Sequence, residues 1–357
     1  MNFEKNAFYK IVSKKDASKV VGVNYSSMDN GANFLLWNDI GSDDQKYIFF
    51  PLDGQKYAIV PKHSGRGFAV DSGYTDNGAK VIQWKYSAAK DQQWYFLSSE
   101  PGYYFIKNQN SGKVVGLPDG HTAAGTKLFQ WQQYSTAEDQ KWSFSLVDRF
   151  LLPSIPSLGT LGPSPEYTSP NTNLPDETDP ILTGAVLLPC ILVTDNGWSL
   201  NDQMKYTPYY LLEKYQSWRL LSETTIAPDS TKKNEFKVGI KTTDQISMEN
   251  TISMSVGVDA GFNIEGASAS LKEEITNSLK VTESHTTEKM TEMTHTDEKH
   301  NPFKQTMYYA EYGLKSTFTL KRTDGSTVDS WTMIDPMRIH GTSYPSDEKR
   351  DILPNRG

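Results

Sequence analysis

Residues 29–37 read DNGANFLLW, residues 76–84 read DNGAKVIQW and residues 123–131 read AAGTKLFQW. Trp37, Trp84 and Trp131 therefore stand 47 residues apart, as do Gly22, Ala69 and Gly116. Self-similarity at a fixed period marks an architecture in which each unit buries its apolar face only against its neighbours. Outward from each Trp the pattern holds. An aromatic strand (AFYKIV, KYAIV, YYFIK) and a small-residue turn into an apolar pair (ASKVVGV, SGRGFAV, SGKVVGL) come before it. DDQKYIF, DQQWYFL or DQKWSF closes each copy. Four short strands in each of three copies predict a threefold barrel with a hairpin cap over residues 1–148.

The closing segments Gln45-Lys46-Tyr47, Gln92-Gln93-Trp94 and Gln140-Lys141-Trp142 resemble the Q-x-W signature of ricin B-type β-trefoil lectins, with Tyr47 in place of Trp. The resemblance covers residues 4–148 and implies a β-trefoil whose signature aromatics are core packing. It also implies sugar sites built from an Asp after the second strand, an aromatic platform on the third, and an acid-Gln pair before the final aromatic. A carboxylate there accepts hydrogen bonds from ring hydroxyls while the apolar face of the sugar lies on the ring. Asp71, Trp84, Asp91 and Gln92 fit best. Asp119, Trp131, Asp139 and Gln140 fit less well, because Pro118 stands where Asp71 stood and the acid is displaced by one residue. Asn24, Trp37, Asp44 and Gln45 are the poorest match. For each Trp a buried core hydrophobe is the competing reading.

Composition bounds the rest. A chain of 357 residues with 37% hydrophobic and 22% charged residues, 18 Pro and 25 Gly suits two globular domains rich in strands and turns. No apolar run approaches the ~20 residues of a transmembrane helix. The start, MNFEKNAFYKIVSKKDASK, has no apolar signal core, so synthesis without a secretory signal is expected. The single Cys190, between LLP and ILV, excludes an internal disulfide and reads as a buried apolar residue. A net charge of −7 argues against nucleic acid.

Residues 149–180 are Pro-rich and read as an extended linker over the surface, open to proteases. A second domain, residues 181–357, begins with the buried strand TGAVLLPCILVTDN. YTPYYLLEKYQSWRLL, residues 206–221, reads as a short helix or a packed strand pair. Long polar alternating segments follow, suited to an elongated, largely solvated β-domain. His285, His295 and His300 read as exposed strand residues, and the tail from Ser343 as a trimmable end.

Within this domain, Ile252, Met254, Val256, Val258, Ala260, Phe262 and Ile264 occupy every second position. After Glu265-Gly266 the parity switches to Ala267, Ala269 and Leu271. Two amphipathic strands around a turn, at 251–281, predict a hairpin able to line a membrane β-barrel if several copies close a ring. A sandwich hairpin explains the alternation too, and the spacing of Leu271, Ile275 and Leu279 suits a helical face equally.

LTGAVLLPCILVTDN followed by MKYTPYYLLEKYQSWRLL resembles the Bin-type (Toxin_10) insecticidal proteins of spore-forming bacilli. That resemblance implies an all-β chain: an N-terminal β-trefoil, then an elongated aerolysin-like β-domain. It implies a parasporal or spore-associated protein, soluble in the insect gut, that binds a cell-surface glycan or glycolipid, oligomerises with its own kind and inserts into the target-cell membrane. A second toxin component is an implied partner. No hydrolase, metalloprotease or phosphate-loop motif appears, so no enzyme activity, cofactor or metal is expected. The alternative is a non-lytic lectin or the receptor-binding subunit of a binary toxin.

Overall fold

The computed structural model describes residues 3–346. Six antiparallel strands close a barrel: Ala7–Ser13, Tyr47–Pro51, Lys56–Pro61, Trp94–Glu100, Tyr103–Asn108 and Trp142–Arg149, the last pairing back to the first. Three hairpins cap it, Lys19–Val23 with Phe34–Asn38, Gly67–Val70 with Val81–Trp84, and Val114–Gly116 with Phe129–Trp131. This is the β-trefoil.

The repeat positions meet in its core, where Tyr47, Trp94 and Trp142 are fully buried. Trp94 Nε1 donates to Phe68 O and Trp142 Nε1 to Val115 O, each at 3.1 Å, tying the closing strand to the cap. The Tyr47 hydroxyl donates instead to Asp44 O at 3.0 Å, inside its own closing segment. The first repeat therefore lacks this tie.

From 150 to 180 the chain forms no strand and lies along the second domain. Trp218 Nε1 donates to Gly162 O at 2.9 Å, Tyr167 N to Thr342 Oγ1 at 2.9 Å, and Lys315 reaches the Glu177 carboxylate at 3.0 Å. Leu151 and Ile155 are exposed at its start.

The second domain, the body, is a six-stranded antiparallel sheet in the order Ile181–Pro189, Tyr209–Ile226, Met307–Lys321, Thr327–Tyr344, Thr231–Ile240, Met293–His300. The segment left open between helix and strands is strand from Tyr209 on, after a short helix, Leu200–Tyr206, closed by a Ser199–Asp202 capping box. Ser/Thr alternation builds hydroxyl ladders: Thr317 meets Thr332, and Thr319 meets Ser330, at 3.2 Å. Thr231–Ile240 joins the main sheet only at Gly239 and Ile240, and from Thr231 to Val238 it pairs with Met293–His300 as a two-stranded ribbon.

The expected hairpin at 251–281 takes a different form. Residues 241–292 form a compact tongue between the two ribbon strands: a helix Thr242–Ile252, short strands Met254–Val256 and Phe262–Ile264, and a helix Ala269–Leu279. Ile252 therefore ends a helix, and Val258 and Ala260 lie in the turn between the strands. The turn falls at 257–261, not at Glu265-Gly266. Ala267 is in a loop, and Ala269 and Leu271 are helical. Helix wins over the second arm because Leu271, Ile275 and Leu279, four apart, bury together while the Ser268 hydroxyl caps Leu271 N. His285 likewise lies in a loop, whereas His295 and His300 are on the edge strand. Residues 347–357 of the expected trimmable tail lie outside the described residues.

Candidate glycan-binding and membrane-insertion sites

In the second repeat the strand Gly67–Val70 ends in a tight turn, Asp71–Gly73, with Ser72 at φ 52° and Gly73 at φ 65°. Beside it the exposed Trp84 closes the partner strand of the hairpin. A cavity of about 320 Å³ is lined by Asp71, Trp84, Ser87, Asp91 and Gln92. Sequence reasoning had named four of these five, and the fold brings all four together.

The electrostatics separate their roles. Burial raises the Asp91 carboxyl above the ordinary range, opposed only by its own backbone N–H, so its lone pairs are open to hydroxyl donors. Asp71 Oδ1 accepts only from Ser72 Oγ, at 3.0 Å. Gln92 is committed elsewhere. Its Oε1 accepts from Ser87 N at 2.8 Å and its Nε2 donates to Lys85 O at 2.8 Å, so the amide braces the loop after Trp84. Two carboxylates beside one open ring can hold a hydroxyl-rich, uncharged ring.

In the third repeat Trp131, Asp119, Asp139 and Gln140 also share one cavity, of about 530 Å³, with Lys15 and Tyr134. Here Asp119, at φ 49°, occupies the left-handed place that Ser72 holds in the second repeat, and Pro118 occupies that of Asp71. Gln140 repeats the bracing, accepting from Tyr134 N at 2.8 Å and donating to Gln132 O at 2.9 Å.

The first repeat is different. Asp44 is 7% exposed and accepts from Val23 N at 3.1 Å, and Gln45 bonds Asn38 O at 2.7 Å and Ile40 N at 3.0 Å. Both side chains are turned into the fold, while Asn24 is half-buried and Trp37 exposed.

Two residues that sequence reasoning missed support these platforms. Gln83, fully buried, donates to Ser27 O at 2.7 Å and Asp29 O at 2.8 Å of the preceding repeat, and accepts from Ser64 Oγ at 2.8 Å. Gln130 makes the same bonds to Tyr74 O, Asp76 O and Ser111 Oγ. The available signal was the Gln directly before the platform Trp in VIQW and LFQW, which the first copy replaces by Leu36.

The tongue stores its apolar face. Met254, Val256, Phe262 and Ile264 are at most 4% exposed, with Met254 opposite Ile264 and Val256 opposite Phe262. Phe262 meets Phe318 of a long body strand edge-on at 5.1 Å. Val258 and Ala269 face solvent, and Ala260 and Ala267 are half-buried. At the turn, Asp259 accepts from His285 N and Ser284 Oγ, both at 2.8 Å, and the His285 bond is the largest cause of a carboxyl held below its ordinary range.

The Ala269–Leu279 helix is clasped at both ends. The trefoil residue Asp53 accepts from Ala269 N and from Ser270 N, the latter at 2.8 Å, and Lys5 pairs with Glu274 at 3.0 Å. At the other end the buried Lys214 of the body donates to Leu279 O. A carboxylate at the N-terminus and an ammonium at the C-terminus both complement the helix dipole.

Comparison with known proteins finds a matching family model for each half. The family model for the insecticidal crystal toxin P42 matches residues 181–346, and that for ricin-type β-trefoil lectin-like domains matches residues 2–84 and 90–151. The chain is 34% identical over 197 residues to the binary larvicide subunit BinB of Lysinibacillus sphaericus, covering 55% of this chain and 44% of that one. It is 29% identical over 229 residues to the insecticidal crystal protein Cry35Ab1 of Bacillus thuringiensis, covering 61% of this chain and 60% of that one. These matches span about half the length of the curated relatives. The crystal structure of Cry35Ab1 superposes with a TM-score of 0.84 at 26% identity, covering 97% of this chain and 92% of the other.

Proposed function

We propose, from a body that belongs to the insecticidal crystal toxin family and a head that belongs to the ricin-type lectin-like family, that this chain is a glycan-directed insecticidal toxin whose tongue enters the target membrane. It is a toxin and not an enzyme. The second-repeat pocket recognises a neutral sugar of a cell-surface glycan or glycolipid, with Trp84 under the ring and Asp71 and Asp91 accepting from hydroxyls.

The observation that carries the membrane step is the place of the tongue in the fold. It is an insert between two polar strands, Thr231–Ile240 and Met293–His300, that pair mainly with each other. Lifting it extends this ribbon while the four remaining strands stay paired. Met254, Val256, Phe262 and Ile264 would then offer one continuous apolar face, and several copies would be needed to satisfy the backbone in lipid. Storage as a parasporal inclusion and release in the gut fit this order of events.

Dye leakage from vesicles carrying target-membrane glycolipids tests the reading. A cysteine pair, Asp53→Cys with Ser270→Cys, ties the tongue to the head. Oxidised protein should bind glycan without leakage, and reduction should restore leakage. Leakage from the oxidised form would remove the tongue from the mechanism.

A second reading, the receptor-binding subunit of a binary toxin, is favoured by the burial of the tongue on both its hairpin and its helix. On that reading leakage appears only after a second toxin component is added.

A further inference from the structure

The three repeats place the same backbone under different side chains. Where the second pocket has Ile82 and Ser87 around Trp84, the third has Phe129 and Tyr134 around Trp131. These pairs correspond by structure: Val81–Trp84 and Phe129–Trp131 are the same strand of successive caps, and Ser87 N and Tyr134 N make the same bond, to Gln92 and Gln140. One ring has become three. Phe129 and Trp131 stand at 79° with centroids 5.5 Å apart, which makes an aromatic corner, and Tyr134, half exposed, is a third ring lining the same cavity.

The charges differ as well. The Asp71 position, where a sugar hydroxyl would be received, is Pro118, which offers no side-chain polar atom. Asp119 and Asp139 remain in the lining, and Lys15 reaches in from the first repeat. Its Nζ lies against Gly120, at φ 68°, where a side chain would press on the end of the lysine. The second pocket has no cation among its lining residues.

Rings and carboxylates attract a cation that is too weakly hydrated to prefer water, which is the chemistry of quaternary ammonium recognition. An ammonium at the rim attracts an anion tied to that cation by a short linker. We propose that the third-repeat pocket binds a phosphocholine group. The trimethylammonium lies in the corner of Trp131, Phe129 and Tyr134 beside Asp119 and Asp139, and Lys15 faces the phosphate. This assignment is independent of sugar binding in the second repeat. It gives the head a second ligand, carried by a lipid head group or by free or glycan-linked phosphocholine.

Calorimetric titration of the full chain with phosphocholine, choline, phosphoethanolamine and lactose tests it. Saturable binding of phosphocholine is expected, with phosphoethanolamine at least ~10-fold weaker because a primary ammonium keeps its water. Trp131→Ala should lose at least ~10-fold in phosphocholine affinity, and Trp84→Ala should leave it unchanged. Lys15→Met should reduce phosphocholine binding to the level of choline. A milder variant, Phe129→Ile with Tyr134→Ser, installs the second-repeat residues and should abolish selectivity without removing the exposed indole. Vesicles of phosphatidylcholine, against phosphatidylglycerol, identify the source: binding supports the lipid, and binding of the soluble ligand alone supports the same group on a free or glycan carrier. No saturable binding, equal affinity for phosphoethanolamine, or an unchanged Trp131→Ala variant would overturn the assignment.

Discussion

Lys214 donates from Nζ to Leu279 O at 2.9 Å, joining the body strand Tyr209–Ile226 to the end of the tongue's second helix. The same ammonium donates to Lys280 O at 3.0 Å. Burial, then the charges of Lys280 and Arg338, lower its pKa from 10.5 to about 8. Between those two values the unfolded chain binds more protons than the folded one, so this group's contribution to stability rises as pH climbs through the window. Urea unfolding of wild type against Lys214→Met should show a difference that grows by up to ~3 kcal/mol from neutral pH to above the unfolded value. A difference independent of pH would show an unshifted lysine.

The clasp at the other end has the same pH sense, in an acid window instead of an alkaline one. Asp53 is held below its ordinary value of 3.8, first by the bond from Ser270 N, so its stabilisation is full at neutral pH and disappears as pH falls through the lowered folded value. Asp53→Ala should raise hydrogen exchange at Ala269 and Ser270 by an amount equivalent to about 1 kcal/mol of a lost cap, with the barrel strands unaffected.

Gly184 on the first body strand lies against the tongue helix. A Cβ there would stand 2.7 Å from Leu279 Cα and 2.8 Å from Ser278 O, and backbone cannot swing aside as a side chain does. Gly184→Ala should destabilise docking by about 1–3 kcal/mol and increase protease cleavage between 253 and 280. If cleavage is unchanged, the helix has room that the fold does not show.

Sugar binding in the second repeat should fail with Trp84→Ala and with Asp91→Asn. The raised Asp91 carboxyl also predicts that affinity falls with acid earlier than for an ordinary aspartate, beginning above pH 3.8. A glycan array on wild type and Asp91→Asn, repeated across pH, reads both effects.

Gln92 works differently. Gln92→Ala leaves Ser87 N and Lys85 O without partners, which costs about 1–3 kcal/mol. Thermal unfolding should therefore register this change, whereas Trp84→Ala, at an exposed ring, should not.

The barrel was legible because its core is written in large side chains at a nearly constant spacing: Tyr47, Trp94 and Trp142 had no other place to go. The same register placed Asp71, Trp84, Asp91 and Gln92 of the second repeat around one cavity. It did not show that Asp44 of the first turns inward to Val23 N, since nothing in the letters separates it from an Asp that faces solvent.

The tongue shows a different limit. Met254 pairs with Ile264 and Val256 with Phe262, so equal parity on the two arms puts all four on one face. The alternation therefore runs unbroken through the turn at 257–261, and a hairpin reads as a single strand. The helix Thr242–Ile252 was invisible for another reason. Its stability comes from burying Met248 and Ile252 and from Gln245, which bonds Val256 N and Val256 O, and not from an apolar stripe.

The pairing of Ala7–Ser13 with Trp142–Arg149 brings the first and last strands of the trefoil side by side. A module that starts and finishes at one doorstep can be exchanged as a cassette, provided that its replacement offers the same greasy footprint as Phe8, Ile48, Phe50, Ala58 and Val60, which share a core with the body. The head can then be replaced by grafting, with the body left as it is.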